Sequence, residues 1–335
     1  MKRFGKWMAL FLILATVSAI NVQANSLIQT IPVGNHPDAV GVNPTTNMIY
    51  VANRWVDTVS TIPVGNGPDA LGVNPTTDMI YVSDLYDNTV NVINVQTNTV
   101  VATISVGNWP DAVGVNPMTN MIYVANYSDN TVSVINVQAN TVVATISVGT
   151  ISVGNGPDAV GVNPTTEMIY VANYDDNTVS VINGQANTVV TTIPVGNEPY
   201  SVGVNPTTNM IYVANYNDNT VSVINGQTNT VVAIISVGNE PWAVGVNPTT
   251  DMIYVASYND NTVSVINGQT NNVVANIYVG SVPSVVGVNP TTNMIYVGDC
   301  FGSGVGVING QTNTLVTIIF VENVAGSIGG IGVLY

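Results

Sequence analysis

Gly154-Asn-Gly-Pro-Asp-Ala-Val-Gly-Val-Asn-Pro-Thr-Thr-Glu-Met-Ile-Tyr-Val-Ala-Asn173 recurs along the chain with few changes. Its central tetrapeptide, Gly-Val-Asn-Pro, begins at Gly41, Gly72, Gly114, Gly161, Gly203, Gly245 and Gly287. The seven copies are separated by 31, 42, 47, 42, 42 and 42 residues, and a fixed period of that size marks a repeat architecture.

Within the copy that runs from Gly156 to Gly196, alternation and punctuation predict four short strands, at residues 157–163, 167–174, 178–183 and 188–195. All are rich in Val, Ile, Thr and Tyr, which suit a pleated, half-buried surface. The breaks between them have turn chemistry. Asn163-Pro164-Thr165-Thr166 fixes a proline φ, Asp176-Asn177 tolerates left-handed backbone, and Asn183-Gly184 supplies a positive φ. Connections this short favour antiparallel neighbours. No segment beyond the first residues has helical apolar spacing. Four strands per repeat and seven repeats match a β-propeller, whose four-stranded blades number roughly 4–8.

The expected fold is therefore all-β: a seven-bladed propeller of four-stranded antiparallel blades. Small residues such as Ala159 and Gly161 place the first strand nearest the axis, where backbones approach closely. The Met-Ile-Tyr-Val rows then pack between blades as core. Two irregularities bear on ring closure. The first repeat is eleven residues short, running Arg54-Trp55-Val56-Asp57-Thr58-Val59-Ser60 straight into Thr61-Ile62-Pro63-Val64-Gly65, which predicts a shortened first blade with its third and fourth strands fused. Thr145–Gly149 is duplicated as Thr150–Gly154, which predicts a bulge or loop at a blade junction. Residues 26–33 resemble an outermost strand that either extends an edge or repairs the short blade.

Lys2, Arg3 and Lys6 precede an uncharged run from Trp7 to Ile20 and then Val22-Gln23-Ala24, the layout of a secretory signal peptide. That run is fourteen residues, short of the roughly 20 a spanning helix needs, so cleavage after Ala24 is expected rather than membrane insertion. The organisation is then signal peptide 1–24, propeller 25–321, and a Gly-rich apolar tail 322–335, read as an edge-covering or frayed end. The protein is expected to be secreted, periplasmic or on the cell surface.

Cleavage leaves Arg54 as the one basic residue against nineteen acids, a formal charge of 1 − 19 = −18. Nucleic acid is excluded as a partner, because such binding needs cations to displace phosphate counterions. The strong negative charge keeps a repetitive β-rich chain soluble. Cys300 is the single cysteine, so stability comes from packing rather than an intrachain disulfide.

Tyr-Val-Ala-Asn occurs at Tyr50, Tyr123, Tyr170 and Tyr212, with variants Tyr81-Val-Ser-Asp84, Tyr254-Val-Ala-Ser257 and Tyr296-Val-Gly-Asp299. With Gly-Val-Asn-Pro before it and Asn-Thr-Val-Ser-Val-Ile-Asn after it, this pattern resembles the YVTN family of propeller repeats, found in archaeal surface-layer proteins and bacterial exported proteins. The third position of the motif is never Thr here. The resemblance spans about residues 26–321 and implies seven blades but no single activity, since similar propellers include structural surface proteins, binding modules and lactonases.

Catalytic constellations are scarce. His36 is the single histidine, Lys is absent beyond residue 6, and there is no haem-attachment motif or phosphate-cradling loop. A second acidic set, Asp87, Asp129, Asp175, Asp176, Asp218 and Asp260, falls in turns between second and third strands and fits turn chemistry. Asn126-Tyr127-Ser128 is a lone glycosylation sequon.

One feature stands above this background. The loops leading into the first strands read Pro37-Asp38, Pro68-Asp69, Pro110-Asp111 and Pro157-Asp158, then Glu198-Pro199-Tyr200, Glu240-Pro241-Trp242 and Val282-Pro283-Ser284. In a propeller they ring one mouth of the central channel, with Trp109 among them. An Asp after Pro also suits an ordinary turn that bonds its own backbone. Read as a site, the ring offers Asp38, Asp69, Asp111 and Asp158 as oxygen ligands for a hard cation such as Ca²⁺. With Trp109, Glu198, Tyr200, Glu240 and Trp242 it suits a cationic or sugar-like ligand. The function expected is an exported, non-enzymatic binding or scaffolding module with a protein, peptide or glycan ligand at this mouth. The alternatives are a lactonase-like hydrolase with a divalent cation at the acidic mouth, and a degenerate repeat protein without a ligand.

Overall fold

The computed structural model describes residues 19–21, 26–29, 37–43, 48–148, 156–299 and 304–320. Seven four-stranded antiparallel sheets follow one another along the chain and take up residues 37–63, 68–105, 110–147, 157–194, 199–236, 241–278 and 283–320, here blades 1 to 7. Their first strands lie side by side from blade 1 through blade 7. Among the described residues there is no helix. The chain is an all-β, seven-bladed propeller.

Blade 4 represents the full blades. Its strands are Pro157–Asn163, Met168–Asn173, Thr178–Asn183 and Thr188–Pro194, within a residue of their expected bounds, and they pair in sequence order. Gly161 stands opposite Tyr170, and Tyr170 opposite Val181. The Asn163 side-chain oxygen accepts the N–H groups of Thr165 at 3.0 Å and Thr166 at 3.4 Å, closing the first turn as an Asx turn before Glu167 goes left-handed at φ 58°. Asn177 takes the left-handed position of the second turn, also at φ 58°. The third turn corrects an expectation. Its left-handed residue is Asn187, at φ 54°, and not Gly184. Gly184 is small for another reason: a Cβ there would lie 2.6 Å from the Tyr123 hydroxyl and 2.8 Å from the Glu167 carbonyl oxygen.

The core lies between blades. Tyr170, Val179, Val181 and Ile193 of blade 4 pack on Val204, Ile211, Val213 and Ile224 of blade 5, and the same set recurs at neighbouring junctions. Each such side chain, when fully buried, stabilises by roughly 1.5–3 kcal/mol relative to exposure. Gly161 admits the next blade, since a Cβ there would sit 2.6 Å from Val202 Cγ1 and 2.8 Å from Val204 Cγ2. The Asn of Gly-Val-Asn-Pro joins blades directly: Asn163 Nδ2 donates to Asn209 Oδ1 at 2.8 Å, and Asn247 to Asn293 at 2.8 Å.

Blade 1 is shortened, as its missing residues require. In place of one fused outer strand it carries a minimal hairpin, Thr58–Val59 against Ile62–Pro63. Ser26–Gln29 neither completes that blade nor joins another; it pairs with Ala19–Asn21 in a separate two-stranded sheet and passes near Thr314–Phe320 of blade 7. Most of the signal segment, His36, the duplicated residues 150–154, Cys300 and the tail 322–335 lie outside the described residues. No helix among the described residues is long and apolar enough to cross a membrane.

Candidate functional site

The loops that lead into the first strands are held by the turns between second and third strands. In blade 3, Asp129 Oδ2 accepts the Asn108 N–H at 2.7 Å, while Asn88 of blade 2 accepts the Trp109 N–H at 3.0 Å. Asp218 with Asn197, and Asn177 with Glu198, repeat this in blade 5; Asp260 with Asn239, and Asn219 with Glu240, repeat it in blade 6. Each Asp-Asn pair thus clamps its own leading loop through Asp and the next blade's loop through Asn. That gives the second acidic set a structural job larger than its own hairpin.

Just after the loops of blades 2 to 5, the second residue of the first strand faces the shared centre. Asp69, Asp111 and Asp158, from blades 2, 3 and 4, come together there. The Asp111 carboxyl is hydrogen-bonded to those of both Asp158 and Asp69. Arg54 Nη1 of blade 1 reaches Asp69 Oδ1 at 2.8 Å, and its guanidinium lies 5.7 Å from the centroid of the Tyr86 ring, with Nη2 3.4 Å from the Tyr86 hydroxyl. Burial pushes the Asp111 carboxyl well above the usual carboxylate range, and Asp158 beside it pushes it further. Asp158 is raised too, again chiefly by burial and then by the charges of Asp69 and Asp175, while its hydrogen bond with Asp111 opposes the rise. The pair therefore retains a proton at pH values where an exposed carboxyl has lost it.

Tyr200 of blade 5 and Trp242 of blade 6 hold the same strand position as these aspartates. The Tyr200 hydroxyl is raised by burial first and then by the charges of Asp158, Asp111 and Asp69 across the centre. From there a run of rings leads outward. Tyr200 lies 6.1 Å from Tyr174, 6.0 Å from Tyr216 and 4.4 Å from Trp242, and Trp242 stacks on Tyr258 at 4.9 Å.

The other expected site residues are placed differently. Glu198 and Glu240 stand before their prolines with φ 53°, which removes them from strand alternation, and they bond the hydroxyls of Tyr174, at 2.9 Å, and Tyr216 rather than joining the aspartates. Trp109, also at φ 53°, is half exposed in its loop. Asp38 begins at a described backbone position, Pro37–Asn43, but its side chain lies outside the described set. Among the described residues, no three His, Cys, Asp or Glu side chains are arranged to hold a metal ion. Asp69, Asp111 and Asp158 are instead engaged with one another and with Arg54.

Arg54, Tyr127, Tyr174, Tyr216 and Tyr258 were not among the expected site residues. The signal was present: they are the residues immediately after Asn53, Asn126, Asn173, Asn215 and Ser257, so one repeat position supplies four tyrosines and Arg54.

A comparison with solved structures gives the same architecture. The fold is a known one. The chain is similar to Kuenenia stuttgartiensis hydrazine synthase with a TM-score of 0.69 and 18% identity, over 82% of this chain and 96% of that one. At that identity the likeness speaks for the propeller alone. No family model matches the sequence, and no curated protein does.

Proposed function

We propose that this chain is an exported, non-enzymatic propeller of the YVTN type that serves as a surface or extracellular binding and scaffolding module. Its ligand, a protein, peptide or glycan, sits at the mouth where the first strands begin. The observation that carries this reading is the half-buried aromatic run from Tyr174 to Tyr258, whose Tyr200 shares its first-strand position with Asp69, Asp111 and Asp158. Rings offer stacking area and the carboxyls offer acceptors, a combination that suits recognition. Chemistry has less to work with, because the chain has one His and no Lys beyond residue 6 to serve as base or nucleophile.

The test is a binding screen of the exported protein against glycans, peptides and Ca²⁺, read by thermal shift and repeated on Trp242→Ala. The expected result is a ligand whose shift disappears in the variant. A screen without any response at the mouth overturns the reading and leaves a repeat protein with no ligand. N-terminal sequencing of the exported chain checks cleavage after Ala24.

A further inference from the structure

Tyr174, Tyr200, Tyr216, Trp242 and Tyr258 form an unbroken run of half-buried rings across blades 4 to 6, with neighbouring centroids 4.4–6.1 Å apart. Rings gathered at an open face, not in a core, offer a flat apolar body a place to stack. Tyr200, inside the run, holds the same first-strand position as Asp69, Asp111 and Asp158 and feels their charges across the centre.

The chain itself shows what such a face can hold. Arg54 sits on Asp69 at 2.8 Å and 5.7 Å from the centroid of the Tyr86 ring, an internal cation held between a carboxylate and an aromatic face. Asp111 is hydrogen-bonded both to Asp69 and to Asp158. Arg54, which also acts on Asp111 through space, is the one Lys or Arg among the described residues. Three gathered carboxyls against one guanidinium leave a deficit of positive charge next to a surface made for stacking.

We infer that this face binds a small organic monocation, its ammonium or guanidinium head on Asp111 and Asp158 and its flat apolar body against Tyr200 and Trp242. The inference rests on the mouth being the binding site, and it names the ligand class. A hard divalent ion would gain nothing from the rings, and a neutral sugar would stack but has no charge to take the place of the proton that Asp111 and Asp158 share. The proton shared by Asp111 and Asp158 leaves to solvent as the cation arrives, so one positive charge replaces another: the O–H bond and the hydrogen bond between the two carboxyls are lost, and hydrogen bonds from the cation's head take their place.

The probe is phenethylammonium, with 2-phenylethanol as its uncharged counterpart, titrated calorimetrically into the full exported protein near neutral pH in phosphate and in Tris. These buffers differ in ionisation enthalpy, so the pair of titrations counts protons. The expected result is at least tenfold tighter binding of the cation, release of a fraction of a proton per cation bound, and a tenfold or greater loss in Asp158→Asn and in Trp242→Ala, with the melting temperatures of the variants showing that they fold. The proton count needs no variant, so it stands even if Asp158→Asn fails to fold. Equal affinity for the alcohol, absence of proton release, or unchanged cation binding in folded Asp158→Asn overturns the inference. A glycan or uncharged peptide that binds in place of the cation and is lost in Trp242→Ala overturns it too, yet leaves the binding-module reading standing; no response to any ligand removes both.

Discussion

Val282 precedes Pro283 with φ 55°, and a β-branched side chain is costly in that left-handed region. The same position carries Gly67 and Gly156 in blades 2 and 4, at φ 68° and 49°. Its backbone N–H is kept by Asn261 Oδ1 at 2.7 Å, a bond any residue can make. Val282→Gly is therefore expected to relieve roughly 1–2 kcal/mol of strain against about 0.4–1 kcal/mol of added unfolded-state entropy, a net stabilisation of up to about 1.6 kcal/mol, checked by urea unfolding. Asp84 is a second residue out of keeping with its repeats. It takes the buried place of Asn126 and Asn173, bonding Thr89 and Asn91 where those bond a Thr and a Ser. Burial raises its carboxyl to about 7. A carboxyl raised on folding leaves stability intact below its unfolded value near 4 and erodes it as pH climbs through the folded value. Between pH 5 and 8 the loss from this group is on the order of 2–4 kcal/mol at most. The double variant Asp84→Asn, Asn91→Ser restores the pattern of the other blades and is expected to flatten that decline, most visibly in melting temperatures at pH 8.

At the scale of strands and turns, the inner strand is where substitution is least tolerated. Gly161→Ala brings a Cβ to 2.6 Å from Val202 Cγ1 of the next blade, and overpacking of this kind costs typically 1–3 kcal/mol. A drop in the urea midpoint with unchanged slope is the expected outcome, and an unchanged midpoint would show that blades 4 and 5 can slide apart freely. That role of Gly161 was legible in the sequence because it is local: a small residue repeated at one position of an alternating strand marks a place where a neighbouring strand comes close. Strand bounds and the alternation of blade 4 were legible for the same reason. Convergence on one mouth was legible through the expected ring; which of those residues meet there was not. Asp69, Asp111 and Tyr200 are far apart in the chain, and their meeting depends on how the ring turns each first strand toward the centre. The prolines hid a further distinction, because Glu198 and Tyr200 flank Pro199 and alternation would put them on one side. The left-handed backbone at Glu198 instead turns it to the Tyr174 hydroxyl. Asn183-Gly184 misled in the opposite sense, since a dipeptide that usually signals positive φ here serves close approach by Tyr123.

Taken as a whole, the molecule has charged turns and uncharged flanks. The outer strands Thr99–Ser105, Thr141–Ser147, Thr188–Pro194 and Thr230–Ser236 contain no charged residue, and each exposes Val at its third position, with Val190 at 51% and Val232 at 50% exposure. Open strand edges without a charge are templates for pairing with another chain, and proteins ordinarily guard them with Lys or a bulge. Here each of these strands carries a bulge at that Val, which is a local guard, and a net formal charge of −15, or −18 after the expected cleavage, adds a long-range one that keeps copies apart. Such repulsion weakens when salt shortens its reach or when acid protonates the carboxylates. Acid does not unfold the ring through Asp84, Asp111 or Asp158, because raised carboxyls favour the folded state as pH falls. Between pH 5 and 4, light scattering is accordingly expected to rise while near-ultraviolet circular dichroism holds, the mark of folded propellers meeting edge to edge. Val190→Lys with Val232→Lys places a local charge on two of those edges and is expected to move the onset to lower pH with little change in melting temperature. If scattering instead rises together with loss of the near-ultraviolet signal, association follows unfolding and the edges are not its cause.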